Sequence, residues 1–138
     1  MGCERIDLDA ADDRRDVVHR AVAALAGGRA VVAPGDHGAL PLGLVHHPEA
    51  LFGIPAMRGE AALILPSPES LRDWIPRLSA RARRMIGRAW PGSTAFHFGA
   101  SMLGGLAERL PRETRAMLVD EEGGITFRCP GHPFFREL

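Results

Sequence analysis

Short apolar runs bounded by glycine or proline limit what this chain can fold into. Residues 30–33, 61–65 and 125–129 form runs of four or five apolar-rich positions, which is the length of a buried strand and too short for a buried helix. Helical patterns separate these runs, and no internal repeat is present. The alternation predicts a single α/β domain over 1–138, with a twisted mixed sheet and flanking helices.

The spacing of apolar residues predicts two main helices between these strands. One begins near Asp12 and ends at Gly27, and the other covers 79–89. In both, apolar residues recur at intervals of three or four, as they do on one face of an α-helix. The apolar face of the second helix is expected to consist of Leu78, Ala82, Met85, Ile86 and Ala89.

Glycine and proline divide the remaining segments. Pro34, Gly35 and Gly38 lie close together before Pro41, so 34–41 is expected to be a loop at a strand end, where α/β proteins commonly bind ligands. A further strand is expected at 93–98. Short helical segments are expected after Pro48, after Ser67-Pro68, around Leu106 and over 114–118.

The charge composition excludes several mechanisms. All 17 basic residues are arginine, and 17 acids balance them. Because the chain has no lysine, a Schiff base and a Walker-type phosphate loop are both excluded. The longest apolar runs are far too short to cross a membrane, and the acidic start does not resemble a signal peptide. These features predict a cytoplasmic protein with no membrane association.

Arginines cluster along the second helix although the net charge is zero. Between Arg58 and Arg88 there are seven arginines against three acids. Arg81, Arg84 and Arg88 recur at helical spacing, so their guanidinium groups form a row that could contact successive phosphates. The alternative is a solvated helix face with internal ion pairs.

Histidines and an aspartate near the first strand raise the question of a metal site. Asp36, His37, His46 and His47 lie within twelve positions of one another. They lack the helical spacing of a zinc motif and are accompanied by no cysteine pair. We therefore interpret them as solvated loop residues and predict no metal. The dinucleotide-binding glycine pattern is also absent.

Four segments, in order along the chain, resemble motifs of the YrdC-like family, threonylcarbamoyl-AMP synthases that use ATP, bicarbonate and threonine in tRNA modification. Residues 33–37 resemble the family's P-T-[DE]-T motif, and 51–65 resemble I-F-x-I-K-x-R with the strand that follows. Residues 90–92 are similar to W-P-G-P-x-T, and 126–133 to V-x-V-R-x-P-x-H-P. The resemblance implies a twisted α/β sheet around a concave, positively charged face.

The positions that carry the family's chemistry are only partly kept. Pro55 and Met57 stand at the K-x-R that handles the nucleotide and acyl phosphates, and Arg58 follows one position later. The motif positions that the resemblance assigns here are Pro34, Asp36, His37, His132 and Arg128; the family's other threonines and its tyrosine are replaced by Gly35, Ala39 and Ala95. The chain also ends soon after His132, where the family continues into further sheet.

The resemblance and the missing cations together suggest a degenerate domain. Adenylate chemistry depends on preorganised positive charge, so we assign no catalytic residue and regard ATP only as a cofactor that the resemblance implies. We predict binding of double-stranded RNA or a nucleotide without threonylcarbamoyl-AMP synthase activity, through Arg58, Arg81, Arg84, Arg88 and Arg128. Two alternatives stay open: an active synthase, and a structural domain that pairs with itself or a partner chain through an exposed sheet edge.

Overall fold

The computed structural model describes residues 2–54 and 61–138. Helix α1 (Arg14–Ala26) begins where the Asp13 carboxylate accepts a hydrogen bond from the Arg15 amide. It buries Val17, Val18, Ala21 and Leu25. The other α-helices are α2 (Ala80–Ala89), α3 (Arg112–Leu118) and α4 (Pro133–Glu137). The strands are β1 (Val31–Gly35), β2 (Gly38–Leu42), β3 (Leu63–Ile64), β4 (Ala95–Phe98) and β5 (Ile125–Arg128).

The strands form a hairpin and a separate mixed sheet. β1 and β2 pair with each other in antiparallel fashion. The second sheet has the order β3-β5-β4, with β5 parallel to β3 and antiparallel to β4. The predicted α/β class and mixed sheet are therefore confirmed. Among the described residues β3 and β4 are the outer strands, and pairing of an outer edge with another chain stays a prediction.

The predicted loop over 34–41 is wrong, because these residues belong to the β1–β2 hairpin. Proline cannot donate a hydrogen bond, but in an antiparallel pair every second residue points its N–H away from the partner strand. Pro34 and Pro41 both belong to the same alternating set of pairs in the hairpin register. Neither proline therefore removes a hydrogen bond between the two strands. The turn at 36–37 is followed by Gly38, whose φ of 127° is readily adopted only by glycine.

Two buried clusters lie on opposite faces of the mixed sheet. One contains Leu63 and Phe127 of the sheet together with Ile86 of α2. The other joins α1, the hairpin and the phenylalanines of α4, and Ile64 packs against it. Because successive strand residues point to opposite faces, α2 covers the Phe127 face, and the α1–hairpin–α4 layer covers the Ile64 end of the other face.

The shorter predicted elements are present with changed bounds. Three of the helical segments are 3₁₀ helices, at Pro48–Leu51, Pro68–Asp73 and Gly105–Arg109, and the fourth is α3. The strand expected at 61–65 pairs with β5 only through Leu63–Ile64. Within the described part of the chain, no helix is long and apolar enough to cross a membrane.

Candidate functional site

Four side chains on one face of the mixed sheet lie opposite the α2 layer. Ala95 pairs with Arg128, and His97 pairs with Thr126, across the β4–β5 ladder. All four point away from Phe127, because strand residues alternate between the two faces. We call Ala95, His97, Thr126 and Arg128 the open face. Among residues 2–54 and 61–138, no carboxylate forms an ion pair with Arg128, so its charge is available to an anionic ligand.

Three segments that are distant in sequence meet beside the hairpin turn. The Asp36 carboxylate accepts a hydrogen bond from the Gly131 amide at 3.1 Å. The Gly92 amide donates to the Cys129 carbonyl at 2.9 Å. A side chain at Gly131 would lie 3.4 Å from the Cα of Gly92, so the two loops pack closely. We call Asp36, Gly92 and Gly131 the junction; it brings together three of the four segments that resemble family motifs.

The other motif positions lie around this junction with different roles. Pro34 is half-buried in β1, and His37 is exposed in the hairpin turn. His132 precedes α4, and its Nδ1 accepts a hydrogen bond from the Phe134 amide at 3.2 Å. That bond caps the helix, as an accepting side chain at this position commonly does. His132 therefore has a local structural role at the start of α4.

Asp36→Ala is expected to detach the hairpin turn from the loop that contains Gly131. Loss of one exposed hydrogen bond should lower the free energy of unfolding by about 1 kcal/mol, and hydrogen exchange at the Gly131 amide should accelerate. Exchange measured by NMR and unfolding in urea test both effects. Asp36→Asn keeps an acceptor oxygen and should behave nearly as the wild type. An unchanged exchange rate at Gly131 in Asp36→Ala would contradict this role.

A second group of cations lies on α2, which begins where the Ser79 hydroxyl accepts a hydrogen bond from the Ala82 amide. Arg81, Arg84 and Arg88 are exposed there; we call them the arginine row. No ion pair joins the row to any described carboxylate, so the internal ion pairs of the alternative interpretation are not seen in this part of the chain.

Met85 corrects one further prediction about α2. The sequence placed it on the buried face of the helix, but its side chain is 56% exposed. Met85 follows Arg81 by four residues and precedes Arg88 by three, so it lies on the same helix surface as the arginine row. Ile86, one residue later, points into the core and is 3% exposed. The arginine row therefore surrounds an exposed thioether.

The arginine row and Arg128 lie on opposite faces of the mixed sheet. α2 packs through Ile86 on the face that contains Phe127, and Arg128 points to the other face. The sequence analysis predicted one binding surface for these arginines. In the described part of the chain they lie on two separate surfaces. Arg58, Pro55 and Met57, which the sequence prediction also used, lie outside the described residues.

His97 of the open face is paired with Asp120, a contact that the sequence did not predict. His97 Nε2 lies 2.6 Å from Asp120 Oδ2. Asp120 Oδ1 accepts hydrogen bonds from the Glu122 and Gly124 amides at 2.9 and 2.8 Å. These bonds, led by the one from Gly124 and followed by the one from His97, lower the pKa of Asp120. The sequence signal for this pair is Asp120 itself, which precedes Gly123-Gly124 by three residues; an aspartate ahead of glycine in this way is common in turns.

An apolar cavity of about 190 Å³ lies between β2, β3 and α3. Leu42, Leu51, Leu63 and Met117 contribute to its lining. Thr114 is buried beside it, and its hydroxyl donates a hydrogen bond to the backbone carbonyl of Val45. That polar group is already satisfied, so the lining named here offers a ligand mainly apolar contact.

Comparisons with known proteins identify the fold. No protein-family model and no curated protein matches this sequence. Solved structures do: E. coli YciO is similar over 92% of this chain, with a TM-score of 0.73 and 19% identity. A double variant of P. abyssi Sua5 is similar over 96%, with a TM-score of 0.71 and 18% identity. The chain has a YrdC-like fold. P. abyssi Sua5 complexed with L-threonine is also similar, over 97%, with a TM-score of 0.66 and 19% identity.

The YrdC-like fold expected from the four motif segments is thus confirmed. The chain spans 59% of YciO and 39% and 36% of the two Sua5 chains. At these identities the likeness establishes the fold alone, because one fold can carry many functions. L-threonine is a ligand of Sua5 in that complex.

Proposed function

We propose that the arginine row binds the phosphate backbone of double-stranded RNA. The observation that carries this proposal is a set of three exposed guanidinium groups on one helix surface, without a described carboxylate partner. Guanidinium groups bind phosphate oxygens through bidentate, charge-assisted hydrogen bonds. The resemblance to the YrdC-like family, which associates with double-stranded RNA, favours RNA as the ligand.

The side chains around the row favour a duplex over a single strand. Proteins that bind single strands stack exposed aromatic side chains on the bases. The row contains no aromatic residue, and Trp90, which follows α2, is only 4% exposed. Neighbouring arginines are separated along the helix axis by about 4.5–6 Å, so each can contact a different phosphate. Such contacts ignore base sequence and depend strongly on salt.

The salt dependence of binding tests this proposal. We expect wild-type affinity for a short RNA duplex, measured by fluorescence anisotropy, to fall with a log–log slope of about −2 to −3 between about 50 and about 200 mM salt. That slope corresponds to three or so phosphate contacts, one per arginine in the row. Affinity that does not change with salt, or tighter binding to the single strand of the same sequence, would contradict the proposal.

We infer that the chain does not synthesise threonylcarbamoyl-AMP. Gly35, His37 and Ala95 stand where the resemblance places threonine hydroxyls, and Pro55 and Met57 stand where it places cations. Without those cations, the charge that develops on the phosphates is poorly stabilised. Pyrophosphate release from ATP, threonine and bicarbonate is expected at background level. Release above a threonine-free control, from protein that circular dichroism shows to be folded, would overturn this inference.

A further inference from the structure

A titratable ring and a fixed cation share the open face. His97 pairs with Thr126, and Arg128 is two residues farther along β5. Diagonal neighbours of this kind lie about 7–8 Å apart, with their Cβ atoms somewhat closer. One tetrahedral oxyanion can bridge that separation between a ring and a long side chain. Ala95, directly opposite Arg128, is small and exposed, so it leaves room for such a group.

Asp120 determines which nitrogen of His97 carries the proton. A carboxylate only accepts hydrogen bonds, so the 2.6 Å contact requires the proton on Nε2. In the neutral ring, Nδ1 is then an acceptor. Protonation of the ring converts Nδ1 into a donor with positive charge. Among the described residues Nδ1 has no hydrogen-bond partner, and the side chain is 48% exposed.

The backbone around the pair keeps this arrangement in place. Asp120 Oδ1 is held by the amides of Glu122 and Gly124, which leaves Oδ2 for His97. A side chain at Gly124 would meet the His97 ring at 2.5 Å, so the ring packs directly on the backbone of this glycine. Because both partners are held by backbone contacts, little ordering is needed when a ligand binds.

We propose that His97 and Arg128 bind a phosphate group, as a phosphate monoester or free phosphate, on the open face, and that binding strengthens when His97 is protonated. The charged groups around the ring are Asp120, with Glu121 and Glu122 in the same turn, and Arg128 on β5. Neutral His97 turns a lone pair toward the anion, whereas the imidazolium donates an N–H to it. The site is on the opposite face from the arginine row, so the proposal does not rest on RNA binding.

Sulfate is a suitable probe, because it keeps two negative charges throughout the range in which histidine titrates. We expect the wild type to bind sulfate about tenfold more tightly at about pH 5.5 than at about pH 8, as measured from NMR shifts of the His97 and Thr126 amides. AMP and inorganic phosphate form the second arm: tighter binding of AMP identifies a nucleotide as ligand, and equal binding identifies the phosphate group alone. No saturable shift with any of the three would overturn the proposal.

Two variants separate this role from a purely structural one. His97→Gln removes the imidazole ring and should make sulfate binding independent of pH. In Asp120→Asn the side-chain oxygen stays with the two amides, so the NH₂ group donates to Nε2 and moves the ring proton to Nδ1. Its affinity at about pH 8 should therefore exceed that of the wild type, an increase that mere loss of a structural contact would not produce.

His46→Ala is the matched control, because His46 is an exposed histidine outside the open face. Its sulfate binding should keep the wild-type dependence on pH. The proposal fails if the pH dependence of the wild type persists in His97→Gln, or if His46→Ala removes it.

Discussion

Replacing both Arg84 and Arg88 with glutamine is expected to weaken binding to an RNA duplex by about ten- to a hundredfold in dilute salt, and to make the log–log salt slope shallower by about two. Each glutamine keeps hydrogen-bonding atoms but releases no counterion when it meets a phosphate. Both arginines are exposed and have no described ion pair, so the fold should not change. Anisotropy titrations at several salt concentrations measure both quantities.

Arg14→Gln with Arg15→Gln provides the matched control for this prediction. The pair is exposed at the start of α1 and carries the same charge. α1 belongs to the layer on the other face of the mixed sheet, so these arginines lie on a different side of the domain from the arginine row. The control variant should keep nearly all of the affinity. Equal losses in the two double variants would show that net charge, and not the arginine row, accounts for binding.

Local sequence patterns predicted the helices and most strands because the contacts that begin and end these elements involve residues close together in the sequence. Asp13 and Ser79 cap α1 and α2 through hydrogen bonds to amides two or three residues away, and such contacts are readable from a few letters. The β1–β2 hairpin escaped the same reasoning. A proline considered without its strand partner indicates a loop. Pro34 and Pro41 fit a strand because the pairing register places both at positions where no N–H is needed for a hydrogen bond to the partner strand.

The candidate site depends on which sheet face each residue occupies, and the sequence contains no direct signal for that. The number of arginines in the sequence predicted one binding surface for Arg128 and the arginine row. Because Ile86 packs against the Phe127 face, α2 and Arg128 lie on opposite faces of the sheet. The His97–Asp120 contact joins residues 23 positions apart. It follows from the antiparallel pairing of β4 with β5 and from the turn between α3 and β5, neither of which motif spacing specifies.

Phe127→Ala is expected to lower the free energy of unfolding by about 3–5 kcal/mol, a large share of the roughly 5–15 kcal/mol that stabilises a typical domain. Phe127 is 0% exposed. Its ring makes edge contacts with Trp74 and Phe98, at centroid distances of 6.1 and 5.9 Å. The substitution removes these contacts and leaves a cavity beside the central strand of the sheet. Unfolding in urea, followed by circular dichroism, measures the loss.

Two further variants make the Phe127 prediction specific. Phe52→Ala removes the same side chain at a position that is 55% exposed, and should change stability by less than about 1 kcal/mol. Phe127→Leu keeps much of the buried volume and should cost about 1–2 kcal/mol, so it stays measurable if the alanine variant does not fold. Equal stability losses in Phe52→Ala and Phe127→Ala would contradict the central position of Phe127 in this core.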